Sequence, residues 1–212
     1  MGGAVHTLWD ELETWARTHA GRSLHLRPGV PPERIDEAEK AMGVTFPSDL
    51  RESFLHHDGQ DLSAGEPFAW LPGCSPLAPL EAVVERWRDE GQWFDEDDGA
   101  DHTISDDGLL HDVVGHPRRI PIAGNEWWDG DNTYVDLFPG PHGSSGQVIT
   151  FVSECDLVVM GSSLREALED HLHCLRSGAW VVEGGVVRPK GAARDAFPHT
   201  SELFAARRGR TR

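Results

Sequence analysis

Residues 31–60, PPERIDEAEKAMGVTFPSDLRESFLHHDGQ, read as two short helices in tandem, each with its own start and stop. Pro31 and Pro32 suit a first helical turn, where proline's missing N–H would have no partner in any case. Glu33, Asp36 and Glu37 place negative charge at the positive end of the helix dipole. Ile35, Ala38 and Met42 recur at helical spacing and form one narrow apolar face. Gly43 ends this helix, residues 44–47 turn the chain, and the Ser48 hydroxyl is expected to cap the second helix. Leu50, Phe54 and Leu55 carry that helix inward, and Asp58-Gly59 is expected to close it.

The rest of the chain supplies what two helices need to pack against. With 212 residues, 38% of them apolar and eight each of Trp and Phe, the chain can bury a sizeable core. No apolar run approaches membrane-spanning length. The N-terminus has no basic segment leading into an apolar one, so no signal peptide is expected and a cytoplasmic location is. Cys74, Cys155 and Cys174 are scattered and odd in number, which argues for reduced thiols rather than a disulfide framework. The net charge is −17; from Arg188 onward seven Lys/Arg stand against two Asp/Glu, so the tail carries +5 and the body −22. Such a field repels phosphate backbones and attracts cationic surfaces, which excludes the body as a nucleic-acid binder.

Along the chain, Val5, Leu8, Trp9, Leu12, Trp15 and His19 share one helical stripe, so residues 4–20 are expected to form an amphipathic helix ended by Gly21. Residues 24–26 read as a short strand or connector, and residues 79–90 as a third helix. Residues 92–112 hold eight Asp/Glu and no Lys or Arg, the pattern of a solvated insertion or of a landing strip for a basic partner. Strands are expected at 118–122, 133–137, 147–152 and 157–160. Ser163 and Glu166 form a capping box for a last helix lined by Leu164, Leu168, Leu172 and Leu175. Val181-Val182 and Val186-Val187 suit a small hairpin.

Several of these pieces recur in a known order. G-V-x-F-P and D-L-R-x-x-F-x-x-H-D-G-Q (residues 43–60) are followed by R-x-I-P-I-A (118–123) and a Gly/Asp turn (129–132). A strand ending in Asp136, a Pro-Gly loop (139–140), G-Q-V-I (146–149) and S-x-x-x-x-L (163–168) complete the series. In this order the chain resembles the SMI1/KNR4 family, also called the SUKH superfamily, over about residues 26–180. The resemblance implies an α+β fold, an antiparallel or mixed sheet packed by helices in a single domain, with a concave protein-binding surface. On this reading residues 1–23 are an N-terminal amphipathic helix, 24–180 the SMI1/KNR4-like domain with its acidic insertion, and 181–212 a hairpin and basic tail. Many bacterial members resemble immunity proteins that neutralise a toxin, and fungal members are cell-wall and signalling regulators that work as scaffolds.

No constellation argues strongly for chemistry. His56 and His57 are adjacent, and neighbouring helical side chains point about 100° apart. Asp129, Asp131 and Asn132 faintly resemble a calcium loop but lack its glycine and glutamate positions. His171 and Cys174 share a helix face without further zinc ligands. Phosphate-cradling loops and nucleophile elbows are absent from the sequence. Trp127 and Trp128 beside Asp129, Asp131 and Asp136 suit an aromatic anchor with an electrostatic rim. These residues, with the acidic run Asp95, Glu96, Asp97 and Asp98, are the expected partner contacts. The expected function is a non-catalytic immunity protein capturing a basic toxin such as a nuclease, without cofactor, metal, nucleic acid or membrane. A regulatory scaffold of the cell-wall type is the alternative, and a metal-dependent hydrolase a distant one.

Overall fold

The computed structural model describes residues 4–93, 107–111, 113, 115–124, 128, 132–152, 156–183 and 186–191. Helix α1 (Val5–Trp15) runs into a π-helical turn (Ala16–Ala20) that stops at Gly21. The expected α-helix is thus shorter, and its stripe holds in part: Val5, Leu8, Trp9 and Leu12 are buried, Trp15 is half-buried and His19 is exposed. Helices α2 (Pro32–Met42) and α3 (Ser48–His56) form the expected tandem. Their linker is held by Glu39, which accepts the Phe46 N–H at 2.7 Å and pairs with Arg51 at 2.8 Å. Ser48 does not cap α3. Pro47 holds the capping position, and no side chain bonds there.

Asp58-Gly59 does not merely end a helix either. Residues His57–Gln60 form strand β2, paired antiparallel with β1 (Leu26–Pro28). The Asp58 carboxylate accepts the Leu80 N–H at 2.7 Å, at the start of helix α4 (Leu80–Glu90), whose own capping residue, Pro79, offers no side-chain bond. Gly59, at φ 72°, passes the backbone of Ala78 and Pro79 so closely that a Cβ would lie 2.7 Å from it. Buried Gln60 donates to the carbonyls of Leu24 and Phe68 and accepts from Leu77, tying three segments together. The motif H-D-G-Q is therefore a docking device for α4 and the loop before it.

The second half builds one antiparallel sheet in the order β3 (Arg119–Ala123), β4 (Thr133–Asp136), β5 (Gln147–Val152), β6 (Asp156–Gly161). Pro121 is tolerated because β3 is the edge strand, where a missing N–H breaks no central ladder. Alternation sends Ile120, Ile122, Val135, Val148 and Met160 into the core shared with the helices. Tyr134 and Ile149 face the other way, against Leu110. Residues 107–111, expected to belong to an acidic appendage, are thus packed: Leu110 bridges Pro139, and Leu109 accepts from Gly140 and Gln147. Helix α5 (Leu164–Arg176) is capped by Ser163, whose hydroxyl accepts the Glu166 N–H at 3.1 Å. All four leucines of its stripe are buried. Strands β7 (Trp180–Glu183) and β8 (Val186–Pro189) form the expected hairpin.

Candidate protein-binding face

Two polar residues of the sheet, Asp136 of the motif series and Arg119 at the variable position of R-x-I-P-I-A, are spent inside the molecule. Arg119 and Asp136 sit directly opposite one another on β3 and β4, and both are fully buried. The Asp136 carboxylate accepts from Arg119 at 3.4 Å, from Gln147 at 2.9 Å and from the Phe138 N–H at 2.9 Å. Arg119 also donates to the His111 carbonyl at 2.9 Å. Phe138 lies between the rings of His111 and His116, with centroids 4.2 and 3.8 Å away. A buried charge survives only when paired and hydrogen-bonded, and this one is. Asp136 was expected at a partner surface; it has no surface to offer.

Trp128 stands in the β3–β4 connection with φ 53°, left-handed and unusual for a bulky side chain. Its ring packs on Gly124 so closely that a Cβ there would lie 2.2 Å from it. The Arg86 guanidinium of α4 covers the ring at 5.5 Å, and the Trp128 carbonyl accepts from Asn132 at 3.2 Å. The Asn132 side-chain amide thus ties the end of this connection back to Trp128. Trp128 is half-buried against the core. Its expected companions Trp127, Asp129 and Asp131, together with Asp95, Glu96, Asp97 and Asp98, lie outside the described residues.

Behind Trp128, Arg86 also pairs with Glu90 at 2.7 Å, and Glu90 accepts the Tyr134 hydroxyl at 2.9 Å. Burial pushes the Glu90 carboxyl above the ordinary carboxylate range, against the pull of Arg86 and of the Tyr134 bond. Burial and the neighbouring Glu90 together push the Tyr134 phenol upward. This chain joins α4 to the sheet and fixes the cation over the indole. Sequence reasoning missed it, although the i, i+4 spacing of Arg86 and Glu90 was a usable signal. On the opposite flank of α4, a cavity of about 380 Å³ opens between α2 and α4. Ala38, Leu80 and Val84 floor it, and Arg34, Glu37, Glu81, Glu85 and Arg88 rim it.

The described histidines considered for catalysis do not come together in one site. His56 ends α3 and stacks on His6, while His57 begins β2, half-buried, its pKa lowered chiefly by burial. His171 is buried against Trp180, with neither ring nitrogen hydrogen-bonded. No helix among the described residues is long and apolar enough to cross a membrane.

A helix-covered antiparallel sheet whose motif residues serve caps, staples and a buried ion pair defines an α+β domain. The profile of the SMI1/KNR4 family (SUKH-1) matches residues 29–170, and the chain belongs to that family. It is 31% identical over 192 residues to the cell wall biosynthesis/cell cycle regulator smi1 of Schizosaccharomyces pombe, covering 84% of this chain and 38% of that protein. The glucan synthesis regulatory protein of Neurospora crassa is 28% identical, with 84% and 40% covered. The cell wall assembly regulator SMI1 of Saccharomyces cerevisiae is 26% identical, with 85% and 42% covered. The chain thus spans about two fifths of the length of these relatives. Their names overturn the expectation of an immunity protein directed at a basic toxin. A net negative charge serves solubility as much as recognition, so it does not by itself specify a basic partner.

Proposed function

We propose that this chain is a non-catalytic protein-interaction domain acting in a regulatory scaffold of the cell-wall assembly type. The observation that carries the reading is its similarity, over 84–85% of its length, to three fungal proteins named as regulators of the cell wall or of glucan synthesis. The internal use of the motif residues Asp58, Gln60 and Asp136, the last paired with Arg119, supports it, since they serve architecture rather than a reaction. The contact surface is the β3–β4 connection around Trp128, which α4 braces through Arg86. A large aromatic held in place from behind loses little entropy on docking, which makes it a suitable anchor. Trp127, Asp129 and Asp131 flank it in sequence and complete the surface, and the domain works in the cytoplasm.

Affinity capture from the native extract, with the full chain as bait, tests both parts. A reproducible stoichiometric set of cell-wall or signalling proteins is expected, lost on the combined substitution W128A/D129N/D131N while the melting transition is retained. Equal recovery by that variant would remove the surface assignment. An eluate whose stoichiometric protein is a toxin or a metabolic enzyme would remove the scaffold reading.

A further inference from the structure

We infer that His6, Glu52 and His56 form a binding site for a zinc-class divalent cation that clamps α1 to α3. Among the described residues, this is the group of His, Cys, Asp and Glu side chains whose ligand atoms converge, all within 4.8 Å of one another. Glu52 and His56 are four apart on α3 and so share a face; His6 reaches them from the first turn of α1. His6 Nδ1 already lies 2.8 Å from the Glu52 carboxylate, and the two imidazoles stack at 4.5 Å. Two imidazoles and one carboxylate are the donor set of an open tetrahedral site, with a water completing four-coordination.

Metal–ligand distances of about 2.1 Å separate tetrahedral donors by roughly 3.4 Å. His56 is exposed and His6 half-exposed, so their side chains can close the remaining gap without moving backbone. The electrostatics favour occupancy. The N-terminus of α1 opposes a cation, but Glu52 sits against that terminus, accepting the His6 backbone N–H at 3.3 Å. His56 is the last residue of α3, where the helix dipole turns its negative end outward. The body charge of the chain adds attraction at long range. Late first-row dications bind such N/O sets most tightly, and zinc suits them without a preferred d-electron geometry.

The site's position gives it a consequence. Helix α1 precedes residue 29, where the family match begins, so a metal here joins a segment outside the matched region to one inside it. The full chain, freed of metal with a chelator, should bind one Zn²⁺ and melt at a higher temperature when loaded. H56A and E52Q should each weaken binding by about tenfold or more, whereas H173A, altering an exposed histidine on α5, should leave it unchanged. E52Q keeps an acceptor for the α1 N–H groups, which separates loss of the ligand from loss of the helix contact. Absence of saturable one-to-one binding would overturn the proposal, as would H56A binding Zn²⁺ with the affinity of the parent chain.

Discussion

His171 is the residue whose environment most directly forecasts a measurement. It occupies the buried stripe of α5, seven residues after Leu164 and three after Leu168, so helical periodicity alone places it inward. The pairing with Cys174 that its sequence position suggested is secondary to this burial. Loss of solvent pushes its pKa down to about 3, so it is neutral in the folded protein at all ordinary pH. Unfolded, it would take a proton near pH 6.5. Because the unfolded chain then binds the extra proton, this stability is fully present above about pH 6.5 and lost as pH falls below it. The expected loss is about 1.4 kcal/mol per pH unit down to pH 3. His171→Leu, close in volume and without an unsatisfied N–H, should be at least as stable at pH 7 and should lack that slope. Urea unfolding of both chains at pH 7, 6, 5 and 4 measures the difference. Parallel curves would show that His171 finds a proton acceptor in solution.

Elements were legible where the signal is local. The leucine stripe of α5 and the Ser163 cap on the Glu166 N–H concern residues a few positions apart and are found as read, although the Glu166 carboxylate reaches the Ser162 N–H instead of Ser163. Strand β4 forms where its alternation places it, but is buried on both faces. The strand pair β1–β2 was not legible, because three- and four-residue strands are too short to show a period. Nor was the role of Asp58, whose partner lies 22 residues away at Leu80. Asp-Gly after a helix signals a stop whatever else it does, so the sequence shows the punctuation and hides the long-range bond. The same holds for Asp136, whose exposure could not be judged before Arg119 was found opposite it. Asp58→Ala should destabilise the protein by about 1 kcal/mol, within the 0.5–2 kcal/mol range of lost helix caps. The weakening should concentrate in α4, since Asp58 serves the N–H at that helix's start. Hydrogen exchange of α4 amides reads this directly: faster exchange there is expected, and uniform acceleration across the sheet would place the role of Asp58 elsewhere.

At the scale of the molecule, the sequence suggests an N-terminal helix that docks through its tryptophans on the domain that follows, and the buried side chains make it part of one core. Val5, Leu8, Trp9 and Leu12 belong to the same apolar cluster as Leu50, Trp70, Leu168 and Leu172. Trp9 also donates to Ser53 of α3 at 3.0 Å, and Glu11 pairs with Arg176 of α5 at 2.9 Å. The exposed ion pair counts for little, but the burial does not. Each of those four apolar side chains contributes about 1.5–3 kcal/mol, on the order of 6–12 kcal/mol together. A whole domain is stable by only about 5–15 kcal/mol. Removing residues 1–23 should therefore abolish cooperative unfolding rather than trim an accessory, even though the family match starts at residue 29. The shortened chain should expose the surfaces of α3 and α5 that α1 covers, bind hydrophobic dye and lose its near-ultraviolet circular dichroism. A sigmoidal urea transition at the midpoint of the full chain would mean instead that α1 is an ornament on a self-sufficient domain. In that event α1 would be free to dock and undock, and a cation held by His6, Glu52 and His56 would control its attachment rather than the stability of the core.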